Sequence, residues 1–271
     1  MKPDVILIAD AGPGIGWGHA VRQLALANAL VGKGVRTLFV TRTHEALTLD
    51  WPCLVWLVGD VARCELPSPW ATVVYDLPDD AVNEGRYAAV RFGDYGPRAS
   101  RDLDYVVCPN FAATAHEWDA PALLGPRFAP LREPFNDGWL PAQNRAGVFV
   151  YGDAPALPKG SPPSFTVPGF SARRSAHAMS MAAVALVPPS MVALECLAIG
   201  TPVVLYVPGP KWQPIADAME AAGVARIWSG RADDHTIGCV LADDGLRRRM
   251  SEAGREAVDG RGADRLAEWL A

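Results

Sequence analysis

The sequence predicts an α/β chain built on parallel sheets, arranged in two halves. Three observations carry this expectation. Apolar runs of four to six residues alternate with longer segments of helical period, as strands buried on both faces alternate with the helices that cover them. Half of the residues are hydrophobic and 20% are charged, which suffices for cores of ordinary size and excludes a disordered chain. Residues 125–144 are dense in Pro, Gly and aromatics, carry no sustained period, and separate two such series. The 271-residue length matches one large domain or two of about 130 residues. The expected division is 1–135 and 136–271.

Taken in order, residues 5–9 (VILIA) read as a buried strand. From His19 the apolar residues Val21, Leu24, Ala25, Ala27 and Leu30 recur at helical spacing, and Gly32 and Gly34 end that helix. Short apolar runs at 37–41, 55–58, 72–75, 88–92 and 105–107 predict further strands, so the first half reads as an open doubly wound sheet. The second series predicts strands at 148–151, 183–187 and 202–207. Helices are expected at 190–198, 214–222, 246–257 and 263–270. Two α/β halves imply a cleft between them, where ligands of such chains bind.

Composition narrows the function. The net charge of −5 and sequence pI near 5.5 disfavour a nucleic-acid binder relying on a broad basic face, while leaving a local basic groove open. The run Arg247-Arg248-Arg249 is most simply a solvated helix face. Five scattered cysteines with no CxxC or Cys/His cluster argue against a disulfide framework and a structural zinc site. No apolar stretch reaches membrane-spanning length, and the N-terminus lacks a signal-peptide pattern, so a cytoplasmic protein is expected.

Five constellations could carry chemistry. Asp10-Ala-Gly-Pro-Gly-Ile-Gly-Trp-Gly-His19 follows the first strand and opens the first helix. Its alternating Gly14, Gly16 and Gly18 form neither a GxGxxG fingerprint nor a P-loop. A lone histidine there would most often be a cap; with Asp10 and three glycines beside it, the turn points to function. Ser190 stands as an N-cap, and Glu195 sits five residues on in an otherwise apolar helix, where a carboxylate requires a partner such as ribose hydroxyls. Tyr151-Gly152-Asp153 ends a strand, as a phosphate turn or as an ordinary turn; Trp212-Gln213 lines a cleft or packs a loop. Asp76, Asp79 and Asp80 follow one strand and Asp94 another, which suits either capping or acid/base work at one cleft.

Together these residues resemble the UDP-sugar hydrolases of pseudaminic acid biosynthesis (PseG type), relatives of the MurG-like glycosyltransferases with the GT-B fold. The resemblance rests first on Asp10-Ala11, Ile15-Gly16-x-Gly18-His19-x-x-Arg22 and Leu24-Ala25-Leu26-Ala27 with Leu30. It continues through the interdomain stretch from Gly125 to Phe135, then Ser190-x-x-x-x-Glu195 with Gly200-x-Pro202, and the tail from Val258 to Arg265. Trp212-Gln213 stands where the family has Asn-Gln. Tyr151-Gly152-Asp153 replaces a Gly-Gly-x-Asp turn, Pro189-Ser190 replaces Ser-Ser, and Gly93-Asp94 replaces Asp-Asp.

The resemblance implies two Rossmann-like domains facing each other across a cleft and a UDP-sugar substrate. No cofactor is expected, and no metal, since the sequence lacks a DxD-like pair in a suitable loop and any ligand cluster; Asp79-Asp80 is the adjacent pair that would prove this wrong. The resemblance also implies His19 as the base that activates water, with Asp94 or Asp76 orienting it, and Glu195 holding the ribose. Asp10, Gly16, Gly18, Arg22, Gly152, Asp153, Ser190, Trp212 and Gln213 would complete the substrate contacts. The expected reaction is hydrolysis to UDP and free sugar. The alternatives are a GT-B glycosyltransferase acting on a hydroxyl of a sugar, lipid or modified nucleic-acid base, and a non-catalytic nucleotide-sugar binding protein.

Overall fold

The computed structural model describes residues 2–61, 63–68, 70–77, 89–93, 104–114, 120–135, 145–157, 163–167, 171–231 and 233–271. They form two compact units: residues 1–132 with 261–271, and residues 133–260.

The first unit carries a seven-stranded sheet of β1 (Val5–Ala9), β2 (Thr37–Thr41), β3 (Leu54–Leu57), β4 (Thr72–Asp76), β5 (Ala89–Phe92), β6 (Tyr105–Cys108) and β7 (Ala122–Leu124). The order is β3-β2-β1-β4-β5-β6-β7, and every pairing is parallel. This is the Rossmann order, in which the direction of winding reverses between β1 and β4. Helix α1 (Gly18–Gly32) covers one face, and Leu26 and Leu30 meet Val5, Leu7 and Ala9 there. Ile6 and Ile8 point the other way, against Val73, Tyr75 and Leu38. Burial on both faces is why β1 reads as an unbroken apolar run rather than an alternating one. The register pairs Ala9 with Asp76, so the carboxyl ends of β1 and β4 lie level.

The second unit has β8 (Val148–Val150), β9 (Ser164–Phe165), β10 (Val184–Val187), β11 (Val203–Tyr206) and β12 (Ala225–Trp228), in the order β12-β11-β10-β8-β9, again all parallel. Its helices are α2 (Ala172–Met181), α3 (Met191–Ala198), α4 (Gln213–Ala221), α5 (Thr236–Ala242) and α6 (Asp244–Ala257). Arg145 closes the end of α3, donating to the carbonyls of Gly200 at 2.8 Å and Ile199 at 3.1 Å.

The C-terminal helix α7 (Gly262–Leu270) departs from the expected division. It returns to the first unit, where Leu266 and Ala267 join the core beside Leu26 and Leu30. A Cβ on Gly262 would run into the Ala129 carbonyl, so the close approach needs glycine. Five elements carry no clear sequence signal. β9 has two residues and β7 three; Arg226 interrupts the apolar run of β12, and Gly238 lies inside α5. The buried side of α2 includes Ser175 and Ser180, which hides its period.

Candidate functional site

The turn after β1 folds back on itself: Gly16 N donates to Gly12 O at 2.8 Å and Gly12 N to Gly16 O at 3.2 Å. Gly16 has φ +89°, which a side chain rarely tolerates, yet a Cβ there would meet nothing within 4 Å. Gly16 and Gly18 both face open space. The turn delivers the chain to α1 at Gly18, above the point where the sheet reverses direction.

Helical spacing then acts. His19, Arg22 and Gln23 stand at i, i+3 and i+4, on one face of α1. That face overlies Asp76 at the last position of β4, a residue with no exposed surface. His19 Nδ1 lies 2.7 Å from Asp76 Oδ1. Arg22 donates from Nε to Oδ2 at 2.5 Å and from Nη2 to Oδ1, and Gln23 Nε2 donates to Oδ2 at 3.0 Å. Burial alone would raise the Asp76 pKa; the Arg22 charge and hydrogen bonds, with His19 adding to them, bring it down to about 2. The carboxylate is therefore ionised and only accepts, which favours a proton on His19 Nδ1 and a lone pair on Nε2, against the pull of Arg22 Nη2, which also lies 3.2 Å from Nδ1. The His19 side chain is 17% exposed, reachable while its partner is sealed in.

Asp10 lies on the other side of β1 and is occupied. It accepts from the Arg42 backbone N at 2.8 Å, from Arg42 Nε at 2.7 Å and from the Thr41 hydroxyl at 3.2 Å, tying the β1 turn to the end of β2. Arg22, expected among the substrate contacts, is 4% exposed with its guanidinium over the Phe92 ring at 5.1 Å and forked onto Asp76. Asp94, Asp79 and Asp80 lie outside the described residues.

In the second unit a cavity of about 1110 Å³ opens at the carboxyl ends of β8, β11 and β12. It brings together Gly152, Asp153 and Gln213 and adds Tyr206, Trp228 and Ser229, which the sequence alone does not single out. Tyr206 Oη donates to the Tyr151 carbonyl at 3.0 Å. A Cβ on Gly152, whose φ is +77°, would strike that hydroxyl. The positive φ already favours glycine in this turn, and the Tyr206 hydroxyl, reaching across β10, takes the space a side chain would fill. Burial, reinforced by Asp153 and Tyr151, pushes the Tyr206 phenol up to about 12, so it remains a donor at neutral pH.

Ser190 occupies the N-cap of α3, but its side chain makes no capping bond; the backbone carbonyl takes Ala193 N at 2.9 Å instead. Glu195 is 3% exposed within α3, and neither it nor Ser190 lines the cavity. Trp212 ends a 3₁₀ turn beside Lys211, whose Nζ lies 5.4 Å from the ring, and is likewise outside the cavity wall. Gln213 is exposed and donates to Asp217 at 2.8 Å. Among the described residues no group of three His, Cys, Asp or Glu side chains is gathered as metal ligands, and no helix is long and apolar enough to cross a membrane.

No protein-family model and no curated protein matches the sequence. Solved structures do. The chain is similar to a glycotransferase of kitacinnamycin (TM-score 0.64, 12% identity, 99% of this chain and 98% of the other). It is also similar to MurG of Acinetobacter baumannii (0.62, 11%, 99% of each). A glycosyltransferase of Rickettsia africae ESF-5 matches at 0.57 and 10% identity, over 99% of this chain and 98% of the other. The fold is that of the MurG-like GT-B glycosyltransferases.

Proposed function

We propose that this chain is a glycosyltransferase that moves the sugar of a nucleotide-sugar, UDP-linked by resemblance, onto a hydroxyl acceptor. The observation that carries the reading is the 2.7 Å contact of His19 Nδ1 with the buried Asp76 carboxylate at the point where the first sheet reverses. An imidazole so held presents Nε2 as a base to the acceptor hydroxyl. The anomeric C–O bond breaks through an oxocarbenium-like state while charge collects on the leaving diphosphate. Backbone amides after β8 and at the start of α3 are the groups in the second unit suited to that charge. The cavity beside Gly152 and Asp153, walled by Tyr206 and Trp228, is the donor pocket in this reading. The similarity to three solved glycosyltransferases supports transfer over hydrolysis.

Hydrolysis is the second reading, favoured by the likeness of the Gly16-x-Gly18-His19-x-x-Arg22 turn to the UDP-sugar hydrolases. The same base would then take its proton from water. Product analysis separates the two. Incubation with UDP-sugars should release UDP only when a hydroxyl acceptor is added, and the glycosylated acceptor should appear in equal amount. UDP and free sugar formed in water alone would replace transfer by hydrolysis. The absence of any turnover across a donor panel, with binding retained, would refute both.

A further inference from the structure

The geometry points to Arg22 and Gln23 as positioning residues that fix the rotation of Asp76 and, through it, the tautomer and orientation of the His19 ring. This rests on His19 being the base. A carboxylate accepts through about four lone pairs. At Asp76 the two oxygens divide them: Oδ2 takes Arg22 Nε at 2.5 Å and Gln23 Nε2 at 3.0 Å, and Oδ1 takes Arg22 Nη2 and His19 Nδ1 at 2.7 Å. Three of these four donors come from Arg22 and Gln23. Arg22 uses the fixed fork of its guanidinium, so both carboxylate oxygens are pinned in one plane. Only one orientation of Asp76 satisfies that fork and Gln23 together, and it aims Oδ1 at Nδ1.

Neither residue is placed to meet a ligand. Arg22 is 4% exposed, stacked over Phe92, and Gln23 has no exposed surface. The Gln23 amide has its Oε1 buried with no hydrogen-bond partner, while Nε2 serves Asp76. Leaving an acceptor unpaired in the interior costs free energy, which a leucine or methionine at this buried position would avoid. The amide is retained where its donor contacts the carboxylate that holds His19. A third member of the cluster would otherwise be an unexplained buried polar group.

The test uses the full chain with ¹⁵N-labelled histidine. His19 resonances are assigned as those missing in His19→Asn, and long-range ¹H–¹⁵N spectra read the tautomer. The wild-type ring should show a protonated Nδ1 and an unprotonated Nε2. In Arg22→Gln and in Gln23→Met, which keeps the side-chain length, the spectra should move to a mixture of tautomers. Turnover should fall about 100-fold and about 10-fold respectively, the span typical of groups that orient a reacting ligand, with KM for donor and acceptor unchanged. Gln23→Met removes no charge and keeps the test available if Arg22→Gln fails to fold. An unchanged tautomer in Gln23→Met, or a rise in KM with kcat intact, would overturn the proposal. The spectra need no turnover: an inactive wild-type protein whose variants still lose the Nδ1–H tautomer would sink the transferase reading and leave the positioning role standing.

Discussion

At 2.7 Å from His19 Nδ1, the ionised and buried Asp76 favours a proton on that ring nitrogen over the other. Replacing His19 by Asn or Ala should lower turnover by about two to four orders of magnitude, the span of a lost general base. UDP affinity, measured by calorimetry, should barely change, since the proposed donor pocket lies in the second unit. Asp76 also makes a pH prediction. Its folded pKa lies below the ordinary 3.8, so its ion pair stabilises the fold fully above that value and loses the contribution as pH falls toward about 2. The difference in melting temperature between wild type and Asp76→Asn should therefore be large at pH 6 and shrink below pH 4. A difference that does not vary with pH would mean the carboxylate charge is not what Arg22 holds.

Elements position these residues by two different periods. On α1 the spacing i, i+3, i+4 collects His19, Arg22 and Gln23 on one side, a pattern present in the sequence once the helix start is known. On the strands, placement depends on register: β4 runs one residue beyond its apolar stretch, and that residue is Asp76. The β8 turn follows a third logic, a close approach between strands that are not neighbours. Tyr206 crosses β10 to hold the Tyr151 carbonyl, and Gly152 leaves room for its hydroxyl. Gly152→Ala should strain the backbone at φ +77° and displace Tyr206, costing about 1–3 kcal/mol. Thermal denaturation should show that loss, and the thermal shift produced by UDP-sugars should shrink with it. Tyr206→Phe should weaken the same shift less, because it removes one hydrogen bond and adds no clash.

The whole chain is divided unevenly by its tail. Helix α7 leaves the second unit at residue 260 and packs on α1, with Lys33 3.2 Å from Glu268 and Arg265 donating to the Arg127 carbonyl at 2.9 Å. Its apolar side completes the core between α1 and the first sheet, beside Leu26 and Leu30. Gly262→Ala forces a Cβ onto the Ala129 backbone and should destabilise the first unit by about 1–3 kcal/mol, as overpacking does. Removing residues 261–271 should go further. Hydrogen exchange should rise throughout α1 and β1 while β10 and β11 keep their protection. Equal deprotection of both units would show that the tail is not specific to the first.

An α/β chain of two parallel-sheet halves is legible in the residues alone, because strands buried on both faces leave unbroken apolar runs and helices leave a 3.6-residue period. His19 and Asp76 are marked there too, since a glycine-rich turn and an acid at a strand end are visible without coordinates. How they are joined emerges only once the strands are laid side by side. Asp76 and His19 are 57 residues apart, and no local pattern says that β4 lies beside β1. For the same reason Arg22 reads as a ligand contact in one dimension and as the clamp of a buried carboxylate in three. Tyr206 and Trp228 end strands without a motif that marks them in sequence, and become cavity walls only when β11 and β12 are laid next to each other. The tail joins the first sheet, not the second, because residues beyond 260 find their apolar partners on α1, a contact more than 230 residues away in the chain.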